Sequence, residues 1–459
     1  MQGRSTTNEE YRDAGGLVKA VAADAPDAPW YPRRPMEIDE FARGAEHLED
    51  RAHLAARLAR GERLRIKWGV DPTAPDIHLG HTVPMRALRR WQEAGHVPVI
   101  IIGDWTARIG DPTGRSATRP PLSAEEVAAN ARTYLDQLFV ILDRDLTEVR
   151  FQTEWFDGMG LAEVIRLATS RTVQQLLQRS DFSARMQDER PISVHELLYP
   201  LLQGYDSVAV NADVEIGGTD QLFNLLAARD VQRHYGATEV QDVVTFPLLE
   251  GLDGVRKMSK SYNNYIGVAE PAPTQYGKAM RIPDELIVRY MTLVTGLDAV
   301  EISGYAQALA SDDINPRDAK AALAAAIVRQ YHGDDAAAAA AAEFRSVTRD
   351  GGVPEVVPEV ALPAAPTTAL ALARTVVAAI GLGLSNAELR RLFGSDGVRL
   401  RRGEGEFAIL AADELVEPES GDVLRLGKRG FARLLAGAGS PATDAAADGG
   451  AEEEQTGGR

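Results

Sequence analysis

The sequence predicts an α/β protein built around a parallel β-sheet, and three observations support that prediction. An apolar, strand-like segment at 64–70 is followed by an amphipathic helical pattern over 82–94 and by a second apolar segment at 97–103. The second segment is apolar at nearly every position, as is typical of strands that are covered on both faces. This order predicts a β–α–β unit, in which ligands bind at the carboxyl ends of the parallel strands.

Composition limits the kind of protein this can be. The chain has 459 residues and is 44% hydrophobic, which is enough for about three domains. It contains no cysteine, which excludes disulfides and cysteine-based metal or nucleophilic sites and fits a reducing cytoplasm. No apolar stretch approaches the roughly 18 residues that a membrane span needs, and the N-terminus lacks a signal-peptide pattern. We therefore expect a cytoplasmic protein that does not enter a membrane.

Periodicity and composition divide the chain into segments. Helical patterns dominate from Pro273 to Tyr331, and 161–179 reads as one helical stretch. The formal net charge of −17 argues against non-specific binding to nucleic acid but permits a local basic patch. The predicted segments are a flexible extension (1–35), a Rossmann-like parallel-sheet domain (36–262), a helical domain (263–350), a proline-rich linker (351–370), a small α+β domain (371–436) and a disordered acidic tail (437–459).

Two short motifs carry the chemistry. His78-Leu79-Gly80-His81 lies where a helix is predicted to begin, and Lys257-Met258-Ser259-Lys260-Ser261 follows far downstream. A helix start offers unpaired N–H groups and a positive dipole, and both favour phosphate. The imidazoles and the Thr73 hydroxyl can donate further hydrogen bonds to phosphate oxygens. The first motif alone is equally compatible with a capped helix that carries incidental histidines.

Together, and in this order on a Rossmann-like scaffold, the two motifs resemble those of the class I aminoacyl-tRNA synthetases. The surrounding residues, from about 36 to 435, are similar to bacterial tyrosyl-tRNA synthetases. The resemblance implies a homodimeric tyrosine–tRNA ligase that forms tyrosyl-adenylate and pyrophosphate from tyrosine and ATP. The tyrosyl group then passes to the terminal adenosine of tRNA(Tyr). Mg²⁺ is expected to accompany ATP, with no dedicated protein ligands for a metal.

The resemblance also implies which residues serve ATP. Attack of a carboxylate on the α-phosphate builds negative charge on the departing pyrophosphate, so catalysis depends mainly on positioning and electrostatics. The catalytic residues implied are Thr73, His78, His81, Lys257, Lys260, Arg115 and Arg119. The other ATP-binding residues implied are Gly80, Gly218, Asp220, Met258, Ser259 and Ser261. For Arg115 and Arg119, a solvated basic loop is the alternative.

A polar helical face indicates where an amino acid binds. Tyr199, Gln203 and Asp206 have the spacing i, i+4, i+7 and so share one face of a helix. Buried polar groups must be hydrogen-bonded, either within an ordinary interhelical network or to a ligand with a distal hydroxyl. The resemblance implies that Tyr199 and Gln203 hold the α-amino group of tyrosine and that Asp206 accepts from its phenol. The remaining tyrosine-binding residues implied are Gly69, Asp71, Asp111 and Gln221.

One residue departs from the better-known members of the family. Lys67 stands where they have a tyrosine beside the substrate phenol, although a second bacterial branch is similar to this chain in having lysine there. Asp206 is then the main group that recognises the hydroxyl. Lys67 is expected either to pair with Asp206 or to leave the strand end for solvent.

The C-terminal region concentrates basic residues in an otherwise acidic chain. Such a cluster is the electrostatic footprint of RNA binding. The region resembles the ribosomal-protein-like RNA-binding domain of bacterial tyrosyl enzymes, and a merely soluble surface is the alternative. The candidate RNA-binding residues are Arg390, Arg391, Arg399, Arg401, Lys428 and Arg429.

Two other functions compete with tyrosine ligation. Tryptophanyl-tRNA synthetases share the fold and both phosphate motifs, but Gln203 and the appended basic domain argue against that assignment. A specialised duplicate could instead act as an RNA-binding regulator or as an antibiotic-insensitive spare copy. The intact histidines and lysines of the two motifs argue against a loss of ATP activation.

Overall fold

The computed structural model describes residues 35–72, 77–108, 123–349, 352–354, 357–363, 365–403, 405–427 and 430–436. Two compact units divide the chain, Met1–Ala341 and Ala342–Arg459. The predicted acidic tail at 437–459, and the predicted extension up to residue 34, lie outside the described residues.

The first unit is organised around a six-stranded sheet with the order β1-β6-β5-β2-β3-β4. The first strand is antiparallel to its neighbour, and the other neighbouring strands run parallel. Their carboxyl ends therefore meet at one edge of the sheet. The strands are β1 (His47–Glu49), β2 (Arg65–Val70), β3 (Val97–Ile102), β4 (Glu148–Phe151), β5 (Val214–Gly218) and β6 (Asp242–Phe246).

Helices flank this sheet and continue beyond it in the chain. In order they are α1 (Ile38–Phe41), α2 (Arg51–Ala59), α3 (Leu79–Glu93), α4 (Ala124–Leu138), α5 (Thr153–Phe156), α6 (Leu161–Ala168), α7 (Val173–Leu176), α8 (Ser180–Gln187), α9 (Val194–Ala209), α10 (Leu222–His234), α11 (Ala272–Ala279), α12 (Ile287–Val294), α13 (Ala299–Ala310) and α14 (Pro316–Arg349). The last of these is interrupted at Gly333, whose φ is +85°. None of the helices in the described part of the chain combines the length and apolar character that a membrane span requires.

The predicted β–α–β unit is present as β2, α3 and β3. Every residue of β3 is buried, as the apolar run Val97–Ile102 predicts for a strand covered on both faces. Helix α3 buries a face that includes Val83, Ala87 and Trp91, which are spaced by four residues. The α/β fold with a parallel sheet is therefore confirmed.

One predicted helical stretch, 161–179, is broken in the structure. Helix α6 ends at Ala168, and α7 begins only after Thr172. The Thr172 hydroxyl accepts from the backbone N–H of Gln175 at 3.2 Å, while the Gln175 side chain accepts from the N–H of Thr172 at 2.9 Å. This reciprocal capping box starts a new helix, so the periodic pattern does not continue as one.

The second unit contains a five-stranded sheet with the order β10-β9-β12-β13-β7 and a two-stranded pair, β11 with β8. Its core includes Leu389 and Phe393 from the helical side and Leu400 and Leu424 from the sheet. The strands are β7 (Glu359–Ala361), β8 (Thr367–Thr368), β9 (Val398–Arg401), β10 (Ala408–Ile409), β11 (Leu415–Val416), β12 (Val423–Leu426) and β13 (Gly430–Leu435), and the helices are α15 (Ala369–Ala379) and α16 (Asn386–Gly394).

The segment expected as a linker, 351–370, contributes to this second sheet. Strand β7 lies within it and pairs in parallel with β13, with Val360 opposite Leu434. Val360 is buried in the core of the unit. Proline content suggested a linker, but burial of this apolar residue makes the segment part of the folded unit.

Candidate active site

A cavity of about 630 Å³ opens at the carboxyl ends of β2 and β5. Its walls come from widely separated parts of the sequence, among them the start of α3 and the Lys257–Ser261 motif. Every described residue predicted to bind ATP or tyrosine lines it. These residues are Gly69, Asp71, His78, Gly80, His81, Tyr199, Gln203, Asp206, Gly218, Asp220, Gln221, Lys257, Met258, Ser259, Lys260 and Ser261.

The two histidines lie against each other at the N-terminus of α3. Their rings are stacked with centroids 3.9 Å apart, and the backbone N–H of His78 lies 3.3 Å from Nδ1 of His81. Gly80 favours this arrangement, since a Cβ at that position would lie only 3.0 Å from Cε1 of His78. The glycine therefore leaves room for the imidazole beside the first turn of the helix.

Both imidazoles are uncharged at neutral pH. Burial, aided by the nearby His81 and Lys260, lowers the pKa of His78 to about 2. Burial and Lys260 likewise lower the pKa of His81 to about 4. Neutral imidazoles combine one donor and one acceptor, so both rings can bind phosphate or ribose oxygens without a change of charge.

The backbone that follows the lysine motif pairs directly with the backbone at the start of the histidine motif. The N–H of Leu79 donates to the carbonyl of Ile266 at 2.9 Å, and the N–H of Val268 donates to the carbonyl of Ile77 at 2.9 Å. The chain that leaves the lysine motif is thereby fixed against the start of α3. Lys260 is consequently close enough to influence both histidines.

Asn264 holds the lysine motif in place. Its side-chain oxygen accepts from the N–H of Ser259 at 2.8 Å, and its side-chain nitrogen donates to the carbonyl of Lys257 at 3.2 Å. Met258 is buried, and its N–H donates to the carbonyl of Leu249 at 2.7 Å. The backbone of the motif is thus anchored while the Lys257 side chain is about half exposed.

The Gly217-Gly218 turn brings a carboxylate to the same cavity. A Cβ on Gly218 would lie 2.6 Å from Oδ1 of Asp220, so the glycine lets the carboxylate lie close to the turn. Oδ2 of Asp220 lies 3.5 Å from Nζ of Lys257. Gln221, on the same turn, accepts from the Asn224 side chain at 2.9 Å.

Asp71 lies at one end of the predicted amino-acid pocket. Its Oδ2 accepts from the Tyr199 hydroxyl at 2.9 Å, and its Oδ1 lies 2.9 Å from the Thr106 hydroxyl. A Cβ on Gly103 would lie 2.0 Å from the same Oδ1. The carboxylate is therefore fixed between two hydroxyls in a space that only glycine leaves open.

Asp206 lies at the other end and is 2% exposed. It accepts from Nε2 of Gln152 at 2.8 Å and from Nε1 of Trp155 at 3.1 Å. Burial raises the pKa of Asp206 to about 7, although the Lys67 ammonium and these two donors oppose the increase. The carboxyl group can therefore change its ionisation near neutral pH.

Both expectations for Lys67 are wrong, because its side chain neither pairs with Asp206 nor reaches solvent. It is 0% exposed, and Nζ donates to Oε1 of Glu215 at 2.8 Å. The reason is the sheet register: Lys67 on β2 lies directly opposite Glu215 on the neighbouring parallel strand β5. Neither residue is part of the cavity lining.

Sequence reasoning missed several residues that hold the site together. Thr106, Gln152 and Trp155 are the partners of the two pocket carboxylates. Gln152 follows β4 directly, so its place at the carboxyl end of a parallel strand was an available signal. Glu215 was visible as an acidic residue inside an apolar strand, which points to a buried partner.

Six predicted site residues lie outside the part of the chain that the structure describes. They are Thr73, Asp111, Arg115, Arg119, Lys428 and Arg429. In the second unit, Arg390 and Arg391 are exposed on α16, and Arg399 and Arg401 are half-buried on β9. The Arg401 guanidinium lies 5.6 Å from the Phe407 ring centroid, and that of Arg425 lies 5.8 Å from it. Arginines and an aromatic ring thus share one surface.

These features define a nucleotide-binding α/β enzyme of the synthetase type, and comparison with known proteins gives its family. A family model for class I tRNA synthetases (W and Y) matches residues 59–348, and the chain belongs to that family. Among curated relatives, tyrosine–tRNA ligase of Moorella thermoacetica is 50% identical over 383 residues, covering 83% of this chain and 91% of the relative. The tyrosine–tRNA ligase of Thermotoga maritima is 46% identical over 401 residues, covering 87% and 98%.

Solved structures agree with this placement. A C-terminally truncated mitochondrial tyrosyl-tRNA synthetase of Aspergillus nidulans superposes with a TM-score of 0.57 at 26% identity. The match covers 68% of this chain and 94% of that one. The tyrosyl-tRNA synthetase of Archaeoglobus fulgidus, solved with L-tyrosine, has a TM-score of 0.54 at 22% identity and supports the fold alone.

Proposed function

We propose that this protein is a tyrosine–tRNA ligase that activates tyrosine with ATP and transfers the tyrosyl group to the terminal adenosine of tRNA(Tyr). One observation carries the proposal: a single cavity brings His78, His81 and the lysine motif together with the Asp71 and Asp206 carboxylates. The first set suits a nucleotide, and the second suits an amino acid that has an ammonium group at one end and a hydroxyl at the other.

In the nucleotide half, neutral His78 and His81 bind phosphate or ribose oxygens as hydrogen-bonding groups. Asp220 accepts from the ribose hydroxyls, and Lys257 and Lys260 stabilise the charge that develops on pyrophosphate. Thr73, Arg115 and Arg119 join them through the family resemblance. ATP enters with Mg²⁺ as part of the substrate, because Mg²⁺ is commonly held by substrate phosphates and water.

In the amino-acid half, Asp71, Tyr199 and Gln203 surround the substrate ammonium. By resemblance, Asp111 is assigned to the same end and Gln221 to the tyrosine pocket. The ionised Asp206, which is 2% exposed, accepts the phenol O–H at the far end. A site of this kind rejects phenylalanine, because phenylalanine offers no hydroxyl to the buried carboxylate acceptor of the site. Tyrosyl-tRNA synthetase is itself the reference case for this kind of selectivity.

The second unit provides the RNA-binding surface. Arg399, Arg401 and Arg425 lie on neighbouring strands of one sheet, and Phe407 packs beside two of them. Arginine planes and aromatic rings suit phosphates and unstacked bases. Arg390 and Arg391 on α16, with Lys428 and Arg429 by resemblance, extend the basic character.

A homodimer is part of the proposal. Five of the eleven large hydrophobic residues that are exposed in the described part of the chain fall between residues 161 and 194. Leu161 is 75% exposed and Val194 is 76% exposed. Contiguous exposed apolar patches mark association surfaces, and we assign these residues to one such patch. The resemblance implies a second copy of the chain as the partner. We place the protein in the cytoplasm with the translation machinery.

Amino-acid-dependent exchange between ATP and labelled pyrophosphate tests this function. Tyrosine should support exchange, and tryptophan and phenylalanine should not. Charging of tRNA(Tyr) should follow, and it should be lost when the second unit's Arg399 and Arg401 are both replaced by alanine, with exchange retained. Tryptophan-dependent exchange, or no exchange with any amino acid, contradicts the proposal.

A further inference from the structure

Lys67 and Glu215 form a buried ion pair for which the function described above has no use. Their side chains are 0% and 1% exposed. Besides Oε1 of Glu215, the Lys67 ammonium donates to the carbonyl of Gln203 at 2.7 Å and to Oγ of Ser207 at 2.8 Å. An ammonium group has three N–H donors, so these contacts satisfy all of them.

The Glu215 carboxylate is equally engaged. Its Oε1 also accepts from Nε2 of Gln203 at 3.2 Å, and its Oε2 accepts from Oγ of Ser207 at 3.2 Å and from Nε2 of Gln241. Gln203 and Ser207 belong to α9, the helix that also carries Tyr199 and Asp206. The pair therefore connects two strands of the sheet to the helix that forms the amino-acid pocket.

This contact fixes the orientation of the Gln203 amide. A carboxylate only accepts hydrogen bonds, so the amide nitrogen must face Glu215. The amide oxygen is then the acceptor that Gln203 offers to the cavity it lines. An acceptor, and not a donor, is what a substrate ammonium requires.

The pair also acts on Asp206. The charged groups that influence Asp206 are Lys67 from β2 and Glu215 from β5, while Gln152 and Trp155 contribute neutral donors from the start of α5. Lys67 lowers the pKa of Asp206 more than Glu215 raises it. The net effect of the pair is to favour the ionised carboxylate, which is the form that accepts a phenol O–H.

A purely structural role explains the pair poorly. Apolar residues of similar volume often stabilise a fold as well as a buried ion pair does, because they avoid the cost of removing two charges from water. In contrast, the two charges act directly on the neighbouring pocket residues Gln203 and Asp206.

We propose that Lys67 and Glu215 are specificity-determining positioning residues of the amino-acid pocket. They act through Gln203 and Asp206, so that the cavity takes an amino acid with a free ammonium group and a distal hydroxyl. This inference rests on the proposed function, since it concerns selection of the substrate at the same site.

The test compares two variants that should shift the pKa of Asp206 in opposite directions. In wild-type protein, the KM for tyrosine should rise as the pH falls through about 7, because Asp206 becomes protonated. We call this rise the acidic limb of the pH profile. E215Q keeps an oxygen for Lys67 but removes the negative charge near Asp206, so this limb should move to lower pH. The double variant K67M/E215Q removes both charges, so the limb should move to higher pH. Each shift should be about half a pH unit or more.

Phenylalanine and ATP serve as controls in the same assays. Phenylalanine has no hydroxyl, so its KM should not show the limb. Selectivity for tyrosine over phenylalanine at pH 6, below the pKa of Asp206, should fall about threefold or more in K67M/E215Q, which corresponds to the half-unit shift. In E215Q that selectivity should not fall. The variant no longer fixes the orientation of the Gln203 amide, and a misoriented amide weakens the ammonium contact of tyrosine and of phenylalanine equally.

The outcomes separate this inference from the proposed function. Limbs that move in the same direction, or not at all, overturn the inference, as does a KM for ATP that rises as much as the KM for tyrosine. If K67M/E215Q fails to fold, E215Q decides alone, and a limb at or above the wild-type pH refutes the inference. Failure of wild-type protein to catalyse tyrosine-dependent exchange would instead refute the proposed function.

Discussion

Nζ of Lys257 lies 3.5 Å from Oδ2 of Asp220, so the lysine motif touches the carboxylate assigned to the ribose. Both side chains are partly exposed, and an ion pair of this kind contributes at most about 1 kcal/mol to stability. The contact therefore shows that the lysine motif and the Asp220 turn lie close together in the nucleotide site. Its loss should not affect folding.

The first prediction concerns this pair. Lys257→Ala should lower kcat for pyrophosphate exchange by about 10²-fold, because a cation at the departing pyrophosphate is lost. The melting temperature should change little. Lys320→Ala is the matched control, since Lys320 pairs with Asp284 and is not part of the cavity lining. Equal losses of activity in the two variants would count against a specific role for Lys257.

The second prediction concerns the histidines. His81→Asn should lower kcat for exchange by about 10²-fold, and the loss should be the same at pH 6 and pH 8. The reason is that burial and Lys260 hold the pKa of His81 at about 4, so the imidazole is neutral at both pH values. His47→Asn, at a half-exposed histidine that pairs with Glu49, is the control. A loss confined to one of the two pH values would indicate a charged imidazole.

The third prediction concerns Gly103. Gly103→Ala should raise the KM for tyrosine at least tenfold, because the new Cβ would overlap Oδ1 of Asp71 and displace the carboxylate. The KM for ATP should change much less. Gly158→Ala provides the comparison, since no atom lies within 4 Å of a Cβ at that position. An unchanged KM for tyrosine in Gly103→Ala would mean that the Asp71 position is not needed.

The fourth prediction links Asp206 to stability. A buried acid whose pKa rises from 3.8 to about 7 destabilises the fold when it ionises, so wild-type protein loses stability as pH rises between these values. Asp206→Asn lacks this loss. The free energy of unfolding of the variant minus that of wild type should therefore be larger at pH 8 than at pH 4, by on the order of 2–4 kcal/mol. Chemical denaturation at both pH values measures this difference, and a constant difference contradicts the assigned pKa.

The fifth prediction concerns association. Leu161→Glu combined with Val194→Glu should convert a dimer into monomers in sedimentation analysis, because charge is placed on an exposed apolar surface. Val300→Glu is the control, since Val300 is 81% exposed but lies far from this segment in the sequence. A dimer that survives the double substitution places the interface elsewhere.

Local patterns in the sequence were sufficient to predict the frame of the site. The β2–α3–β3 unit follows from apolar periodicity, and the shared face of Tyr199, Gln203 and Asp206 follows from helical spacing. The residues that those patterns single out all line one cavity. Short-range periodicity determines these features, so they are readable without a structure.

The partners of those residues were not readable in the same way. Gln152 is 54 positions from Asp206, and Glu215 is 148 positions from Lys67. Which residues meet across such distances depends on strand order and register, and a single sequence does not reveal either. The expected solvent exposure of Lys67 failed for this reason, and so did the reading of β7 as linker.

The Thr106 hydroxyl lies 2.9 Å from Oδ1 of Asp71 and 2.8 Å from Oε1 of Gln152, yet it carries a single proton. The hydroxyl can therefore donate to only one of these two oxygens at a time. An ammonium group bound at Asp71 would satisfy that carboxylate and favour donation by Thr106 to Gln152, which itself donates to Asp206. Occupancy at one end of the substrate would then be felt at the other, and substitutions at Asp71 and Asp206 should show non-additive effects on tyrosine binding.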